Sequence, residues 1–257
     1  MQDGLRSRYD GPMAVKDQRT LLLPVSEIRA ETPDIKSFRL DLAGHKPFVF
    51  RPGQFVILTT EVWNPKRQRM GPVNRAFSIS TSPTDEDYIE IAARRYPEGR
   101  ITPWLHDTVR VGDRVTVKGP EGRFIFKEGE SDELILIAGG IGVAPFRSMI
   151  RYILARNLPV RVSLFYSART PGDFSFAAEF DALARRHDNF RLILTVTRPG
   201  APWSGRTGRF DLEFFREHLG GPTAPYYLCG PDSLIDDGLR ILRGLGVPDA
   251  FLRSEKW

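Results

Sequence analysis

The chain lacks the residues that most metal and disulfide sites need. Its 257 residues include one cysteine, Cys229, and four histidines that are scattered without HExxH or other paired spacing. A single cysteine excludes an intrachain disulfide and any four-cysteine zinc or iron–sulfur site within this chain. We therefore expect no metal centre.

Long apolar runs and targeting segments are also missing. The longest apolar stretch, Leu134 to Phe146, is too short to span a bilayer and contains three glycines and a proline. The start of the chain has no apolar segment between a basic region and a small-residue cleavage site. Walker GK[ST] and GxSxG motifs are absent, which disfavours hydrolases. We expect a cytoplasmic protein with no membrane insertion.

Positive charge exceeds negative charge, but not in runs. The chain has 37 Lys and Arg against 32 Asp and Glu, a net charge of +5, and a pI of about 9.5. A basic surface suits an anionic partner such as nucleotide phosphates, an acidic electron carrier or nucleic acid. The basic residues occur in scattered pairs, and for any one pair an ordinary solvent-exposed surface explains the charge as well as a binding partner does.

Two patterns divide the chain. Residues 1–18 are polar and aperiodic, and we predict a tail. Residues 19–127 contain short apolar runs, from "LLLPV" to "RFIF", with no convincing helix, and predict an antiparallel β-barrel or sandwich. After the charged linker "KEGESDE", residues 128–257 alternate strand-like and helix-like segments, which predicts an α/β domain with a doubly wound parallel sheet.

The segment Arg75-Ala76-Phe77-Ser78 combines a cation, an aromatic ring and a hydroxyl on one strand-like run. A flavin nucleotide needs a counter-charge for its pyrophosphate, a surface for its ring and a hydrogen bond near its redox nitrogen. Many strands offer these groups by chance, so the segment predicts a flavin site only together with other motifs.

A glycine-rich turn, "AGGIGVAPF", follows a strand and opens a helix. Gly140 and Gly142 would let the backbone approach a pyrophosphate, and the helix N-terminus beyond supplies N–H groups. Pro145 suits a first helical turn, where its missing N–H costs no hydrogen bond. The pattern is GxGxxP rather than GxGxxG, which disfavours a dehydrogenase-type Rossmann site and leaves the prediction of nucleotide binding unchanged. A turn needed only for tight packing is the alternative.

The next strand favours NADPH over NADH. It ends in Ser167, Ala168 and Arg169, without the carboxylate that holds ribose hydroxyls in dehydrogenases. A hydroxyl and a cation there would suit a 2′-phosphate, and Arg198 and Arg206 could add to it. The alternative is that these arginines clamp the adenosine or lie on the surface of an NADH enzyme.

The last two segments with candidate site residues lie near the end of the chain. "YYLCGPD" places Cys229, Gly230 and Asp232 after a strand, where ligands of α/β folds bind, although a cysteine there is more often part of a core. "LRSEKW" puts Glu255 two residues before Trp257. Taken alone, this segment predicts a frayed end rather than an aromatic lid with a nearby carboxylate.

Together these segments resemble the ferredoxin–NADP⁺ reductase superfamily over residues 20–257, in the same order. The resemblance implies an FAD-binding barrel followed by an NAD(P)-binding domain. It implies that Arg75 pairs with the FAD pyrophosphate, that Phe77 packs on the isoalloxazine and that Ser78 lies near flavin N5. Phe77 stands where the family more often has Tyr. Trp257 resembles a terminal aromatic that covers the ring.

The resemblance also implies the full sets of site residues. Those for FAD, including the second phosphate-binding turn, are Arg75, Ala76, Phe77, Ser78, Ala92, Arg94, Gly99, Arg100, Ile101, Thr102 and Trp257. Those for NAD(P) are Gly140, Gly142, Val143, Ala144, Pro145, Ser167, Arg169, Arg198, Arg206, Cys229, Gly230 and Asp232. Ser78, Cys229 and Glu255 are the implied catalytic residues.

The function implied by the resemblance is hydride transfer from NAD(P)H to FAD, rather than FMN, and single-electron transfer to a separate carrier such as ferredoxin or flavodoxin. Two alternatives stay open: an NADH-dependent reductase component of an oxygenase or desaturase system, and a flavin- or nucleotide-binding subunit without turnover. Nucleic-acid binding is not expected. The basic loop 61–74, "EVWNPKRQRMGPVN", has no assigned role beyond a loop near the flavin that could touch a partner.

Overall fold

The computed structural model describes residues 18–42, 44–64, 67–200, 203–221 and 223–256, which divide into two compact units. The first unit holds the described residues as far as Ala30, together with Asp34–Phe126 and Arg147–Tyr152. The second holds Glu31–Pro33, Lys127–Phe146 and the described residues from Ile153 onward. Within the described residues, no helix is long and apolar enough to cross a membrane.

Six strands form the sheet of the first unit. They are β1 (Arg19–Thr32), β2 (Ile35–Asp41), β3 (Phe55–Asn64), β4 (Arg69–Ser78), β5 (Tyr88–Arg94) and β6 (Arg114–Glu121). Their spatial order is β4-β3-β6-β1-β2-β5, and the pairs β1–β6, β3–β4, β3–β6 and β2–β5 are antiparallel. A bridge between Ile79 and Ile91 connects the two sides of the sheet. The predicted antiparallel barrel is therefore confirmed, as a half-barrel sheet.

Alternating side chains of these strands fill one core. Leu21, Leu23 and Val25 of β1 are buried at every second position, as expected for a strand with one inward face. They pack with Phe38 of β2 and Val56 of β3. Burial of each such side chain stabilises the fold by roughly 1.5–3 kcal/mol.

The first unit also contains a helix that the sequence pattern does not predict, α1 (Ile101–Asp107). Ile101 and Leu105, one helical turn apart, are buried in the barrel core. The expected strand at "RFIF" is wrong, because residues 123–126 are not part of any strand. Phe124 and Phe126 are nevertheless buried, so their apolar character reflects burial rather than a strand.

The second unit alternates strands and helices as predicted. Its elements are β7 (Glu133–Gly139), α2 (Ala144–Ala155), β8 (Arg161–Ala168), α3 (Ala177–Arg186), β9 (Phe190–Val196), β10 (Arg206–Thr207), α4 (Leu212–Glu217), β11 (Tyr226–Gly230), α5 (Asp232–Gly244) and β12 (Leu252–Lys256). The strands form a parallel sheet in the order β10-β9-β8-β7-β11-β12. The middle of α2 clusters with the first unit.

The end of the described chain is an ordered edge strand. Leu252–Lys256 pairs in parallel with β11, and Glu255 lies opposite Cys229 in the ladder. The frayed end expected for this segment is therefore wrong for residues 252–256, because backbone pairing to β11 holds them. Trp257, the expected aromatic lid, lies outside the described residues.

Candidate functional site

The strand β4 carries the predicted flavin segment, and its three side chains differ in burial. Arg75 lies opposite Leu58 and is exposed, and no described carboxylate forms an ion pair with it. Ser78 lies opposite Phe55 and is buried, and its hydroxyl has no hydrogen-bond partner among the described residues. Among the described residues, the Arg75 guanidinium has no carboxylate partner and the Ser78 hydroxyl, three residues further along β4, has no hydrogen-bond partner, so each can bind a polar group of a ligand.

Phe77 is largely part of the barrel core. It lies opposite Val56 and is only 6% exposed, within the same apolar cluster as Leu58 and Val56. The core therefore covers most of the ring, and only a small part of its surface is open to a ligand. Its stacking on a flavin stays a prediction. Ala76, on the opposite face of β4, is half-buried.

The turn before α1 is built around Gly99 and Arg100. A Cβ at Gly99 would lie 2.9 Å from Thr102 Oγ1 and 3.0 Å from the Tyr96 carbonyl oxygen, so a larger residue would crowd the turn. Thr102 Oγ1 accepts a hydrogen bond from the Tyr96 N–H at 3.1 Å, which holds the turn together. Ile101 is buried in the core.

Arg100 leaves one buried donor unused. Its Nη2 donates to the carbonyl oxygens of Val62 at 3.2 Å and Gly71 at 3.4 Å. Its Nε is buried without a partner among the described residues. Because an unsatisfied buried donor costs about 1–3 kcal/mol, an acceptor at this place would stabilise the protein. This orphan donor fits the phosphate or a carbonyl group of a flavin nucleotide.

Two other residues of the predicted FAD set are engaged within the protein. Arg94 Nε donates to Asp34 Oδ2 at 2.7 Å, so its charge is compensated. Ala92 is buried on β5 opposite Ser37 of β2. Between the two predicted cations Arg75 and Arg94, Arg75 is the one that lacks a described partner.

The glycine-rich turn connects β7 to α2 through one turn of 3₁₀ helix at Gly140–Val143. Gly140 has φ of 54°, a left-handed conformation that glycine tolerates. A Cβ at Gly142 would lie 2.3 Å from the Cys229 carbonyl oxygen, so close packing on β11 demands glycine there. Val143, Ala144 and Pro145 are buried at the start of the helix. The packing alternative therefore holds at Gly142, whereas nucleotide binding by this turn stays a prediction.

The ends of β8 and β9 bring two predicted arginines together. The backbone N–H of Arg198 donates to the Arg169 carbonyl oxygen at 2.8 Å, and both side chains are exposed. Ser167, two residues before Arg169, is half-buried. No described carboxylate pairs with either arginine, so both guanidinium groups are available to an anion.

Arg206 does not join this pair. Its Nη2 donates to the Arg209 carbonyl oxygen at 2.9 Å and forms an ion pair with Asp211 at 3.4 Å. Its guanidinium also lies 4.8 Å from the centre of the Phe214 ring. These contacts give Arg206 a structural role beside α4, which the sequence prediction of a phosphate contact did not include, and its Nε is buried without a partner among the described residues.

Cys229 and Glu255 are neighbours at the carboxyl edge of the parallel sheet. Cys229 is fully buried on β11, between Ala138 of β7 and Glu255 of β12. Burial raises the pKa of Glu255 from 4.5 to about 7, and its Oε2 has no partner among the described residues. A carboxyl group with this pKa exchanges protons near neutral pH, the range that acid–base chemistry in cells requires.

Two residues after Cys229 complete this edge. Gly230 has φ of 154°, and a Cβ there would lie 2.9 Å from the Gly139 nitrogen, so β11 and β7 approach closely at this point. Asp232 is exposed in the first turn of α5 and forms an ion pair with Lys256 at 3.5 Å. Lys256 thus partly compensates the negative charge of Asp232 at this edge of the sheet.

The sequence analysis missed a buried ion pair in the first unit. Glu90 of β5 is 1% exposed and pairs with Arg147, which is also buried, and with Arg29 at 2.8 Å. The Ser80 hydroxyl donates to the Glu90 carbonyl oxygen at 3.0 Å. An acidic residue inside the apolar run "YIEIAA" is the feature that indicates such a pair, since a buried carboxylate requires a cation.

Comparisons with known proteins agree with this two-part arrangement. Residues 22–126 match the oxidoreductase FAD-binding domain family, and residues 136–238 match the oxidoreductase NAD-binding domain family. The chain is 31% identical over 237 residues to ferredoxin–NADP reductase B of Sorangium cellulosum, covering 90% of this chain and 94% of that relative.

Another relative is longer. The glycine betaine monooxygenase reductase subunit of Chromohalobacter salexigens is 32% identical over 236 residues, which cover 88% of this chain and 61% of the relative. The chain thus spans about three fifths of the length of such relatives. The FAD/NAD-binding domain of Vibrio cholerae nitric oxide dioxygenase has the same fold, with a TM-score of 0.81 at 23% identity over 93% of this chain and 98% of that one.

Proposed function

Because the chain belongs to the ferredoxin–NADP⁺ reductase superfamily, we propose that it is a flavin-dependent reductase that passes electrons from NAD(P)H to a separate carrier protein. The balanced reaction takes one NAD(P)H and two oxidised one-electron carriers to NAD(P)⁺, two reduced carriers and one proton. The observation that carries the proposal is the edge of the parallel sheet, where the glycine-rich turn rests on Cys229 and the titratable Glu255 lies alongside.

FAD is the cofactor that the first unit fits. Arg75 would pair with its pyrophosphate, and the Arg100 Nε and the Gly99–Thr102 turn would supply further donors. Ala76, Phe77 and Ser78 would border the ring system, with Ser78 offering its unpartnered hydroxyl. Bound FAD supplies the ability to accept a hydride as an electron pair and release electrons singly. FAD is proposed over FMN because the matching family is FAD-binding and the second phosphate needs the additional donors.

NADPH is the proposed electron donor, with NADH as the alternative. The turn Gly140–Val143 and the N-terminus of α2 would hold the pyrophosphate. Arg169 and Arg198, joined through their backbones and free of described carboxylates, would pair with a 2′-phosphate. Arg206 is left out of this set because Arg209 and Asp211 already engage it.

Cys229, Gly230 and Glu255 would border the nicotinamide side of the sheet edge. In this arrangement the Glu255 carboxyl, with its pKa raised by burial to about 7, would take up and release a proton near neutral pH. The buried Cys229 thiol shapes an apolar wall from which water is excluded. Asp232 and Gly230 border the same edge through the start of α5. These roles, and that of Ser78, are proposals for mutagenesis.

The electron acceptor is proposed to be another molecule, ferredoxin or flavodoxin. With one cysteine, the chain cannot form a four-cysteine cluster of its own, and its net charge of +5 suits an acidic carrier. A second candidate function is the reductase component of an oxygenase system that uses NADH. Its support is that several similar proteins are named as monooxygenase reductase components.

The domain boundaries are part of the proposal. We place a tail at residues 1–18, the FAD-binding barrel at 19–127 and the NAD(P)-binding domain at 128–257. The matched family ranges, 22–126 and 136–238, support a division near residue 127. A cytoplasmic location is proposed as well, because reduced pyridine nucleotides are available there. Cell fractionation would test the location.

Anaerobic titration of the purified protein with NADPH and with NADH tests the central proposal. We expect a flavin absorbance band that NADPH bleaches at lower concentration than NADH. A protein without flavin absorbance, or with a flavin that neither nucleotide bleaches, would contradict the reductase assignment. Equal bleaching by both nucleotides would contradict the 2′-phosphate site and favour the oxygenase-reductase alternative.

A further inference from the structure

The hairpin of β3 and β4 exposes an apolar surface at its tip. Trp63 and Met70 lie opposite each other in the ladder and are 56% and 53% exposed. Pro72, two residues further along β4 and therefore on the same face, is also exposed. We call these three residues the hairpin patch. Tryptophan and methionine are enriched in protein interfaces, where a buried tryptophan often dominates the binding energy.

The hairpin patch lies on the face of β4 opposite to Arg75 and Phe77, and it shares its face with Ala76 and Ser78, which lie four and six residues beyond Pro72. Side chains alternate along a strand, so Met70 and Pro72 share one face of β4 whereas Arg75 and Phe77 share the other. Arg100 approaches this hairpin through the backbone carbonyls of Val62 and Gly71. The patch is therefore displaced along β4 from Ala76 and Ser78 and adjoins Arg100, so a carrier bound there would lie close to the residues proposed to hold FAD.

Positive charge adjoins the patch. Arg67 and Arg69 are exposed, and neither forms an ion pair with a described carboxylate. The segment 61–74 contains three basic residues against one acidic residue, Glu61. An apolar centre with uncompensated arginines beside it complements an apolar spot bordered by carboxylates.

We propose that the hairpin patch, with Arg67 and Arg69, is the docking surface for an acidic electron-carrier protein. The proposal rests on the proposed function, because it names where the carrier of that reaction binds. Trp63 and Met70 supply the apolar contact, and the two arginines steer and orient the acidic partner. A transient electron-transfer complex of this kind buries less than about 1,200 Å², so it needs few anchoring side chains.

A second copy of the chain fits this surface less well. Two copies joined at the patch would bring Arg67 and Arg69 of each close to those of the other, which is repulsive. Strand-to-strand pairing along the edge strand β4 would also meet Pro72, which has no N–H to donate. Charge and backbone chemistry both favour a different, acidic partner.

The test uses two double variants of the full chain, Trp63→Ser/Met70→Ser and Arg67→Glu/Arg69→Glu. Matched controls are Val111→Ser, an apolar side chain 61% exposed elsewhere, and Arg186→Glu/Arg216→Glu, which makes the same charge change at exposed arginines. Steady-state turnover with NADPH is measured with an acidic [2Fe–2S] ferredoxin and with 1,4-benzoquinone, a small neutral acceptor. Analytical ultracentrifugation follows the oligomeric state.

We expect the KM for the ferredoxin to rise at least tenfold in both hairpin variants and less than twofold in both controls. Turnover with benzoquinone should stay within twofold throughout. An unchanged ferredoxin KM, an equal loss with benzoquinone, no saturable ferredoxin reduction by the wild-type protein, or a change in oligomeric state would each overturn the proposal. Failure of the proposed function is recognised separately, since the wild-type protein would then reduce neither acceptor and its flavin would not bleach.

Discussion

At the residue scale, several polar groups stand out because the described protein does not satisfy them. The Arg100 Nε and the Glu255 Oε2 are buried without partners. Arg75 is a cation without a described carboxylate. Buried polar groups are nearly always satisfied in folded proteins, so orphan groups indicate ligands or proton chemistry.

Glu255 should give the stability of the protein a specific pH dependence. Its folded-state pKa of about 7 lies above the ordinary 4.5, so between these values the folded state binds a proton that the unfolded chain has lost. Unfolding therefore releases this proton, and the free energy of unfolding of the wild-type protein falls as pH rises from 4.5 to 7. Urea denaturation across this range should show Glu255→Gln gaining stability relative to wild type, with a plateau above pH 7. A difference that does not vary with pH would contradict the raised pKa.

Arg169 and Arg198 should determine the preference for NADPH. Replacing both by Ala removes up to two charge-assisted hydrogen bonds to a 2′-phosphate, each worth about 1.5–3 kcal/mol. The ratio of kcat/KM for NADPH to that for NADH should fall about ten- to a hundredfold or more. Arg206→Ala is the control, because Arg206 contacts Asp211 and Phe214 instead. A ratio that falls with Arg206→Ala and not with the double variant would reverse the assignment.

Gly142 should tolerate no side chain. A Cβ there would lie 2.3 Å from the Cys229 carbonyl oxygen, which is backbone and cannot rotate away. Gly142→Ala should lower the free energy of unfolding by about 1–3 kcal/mol through overpacking. Gly244→Ala, where a Cβ meets nothing within 4 Å, should leave stability unchanged or slightly higher. Equal stability of the two variants in chemical denaturation would show that the turn can shift.

At the element scale, buried ionic contacts fix the middle of α2 within the first unit. Arg147 pairs with Glu90 of β5, and Arg151 pairs with Asp85 at 3.0 Å. The Ser148 hydroxyl donates to the Thr81 carbonyl oxygen. These contacts hold the segment between β4 and β5, which contains Thr81 and Asp85, against one face of α2. A buried pair of this kind is costly to break, because the remaining charge stays buried.

Glu90→Gln should therefore destabilise the protein strongly. It removes the carboxylate that compensates Arg147 and Arg29, and breaking a buried pair costs about 3–5 kcal/mol. Asp181→Asn is the control, since Asp181 pairs with Arg185 on the exposed side of α3 and should cost less than about 1 kcal/mol. Equilibrium denaturation in urea compares the two variants. Losses of similar size would mean that Glu90 is not a structural anchor.

Element prediction from sequence succeeds where the pattern is local and fails where it depends on distant pairing. The strand–helix alternation after residue 127 predicts β7, α2 and β8 correctly, because each is an apolar run with a clear period. The seven-residue α1 is too short to show such a period. The strand β12 forms because β11 lies beside it, which the letters "LRSEK" do not reveal.

At the scale of the whole molecule, the net charge of +5 should affect association with the carrier. Screening lengths shorten from about 30 Å at 0.01 M salt to about 10 Å at 0.1 M. The KM for an acidic ferredoxin should accordingly rise several-fold over this range, whereas the KM for neutral benzoquinone should stay constant. Stopped-flow measurements would check whether the rise in KM comes from a slower association rate at higher salt, as electrostatic steering requires. A ferredoxin KM independent of salt would argue against electrostatic steering.

The order of motifs along the chain predicts the two-domain fold and most of the candidate site, but not which cations are free. Arg75, Arg94 and Arg206 look alike in the sequence. Folding pairs Arg94 with Asp34 and Arg206 with Asp211, and leaves Arg75 without a described carboxylate. Asp34 lies 60 residues from Arg94 along the chain, so composition and spacing do not distinguish Arg94 from Arg75.

The burial of Cys229 has a practical consequence for spectroscopy. It is the only cysteine in the chain, and it is fully buried on β11 with Gly142 packed against its carbonyl. A thiol shielded in this way reacts slowly with maleimides and nitroxide reagents. A single substitution at the surface, such as Val111→Cys, would then accept a fluorophore or spin label at one defined position. Distances to bound partners become measurable without first removing the native thiol.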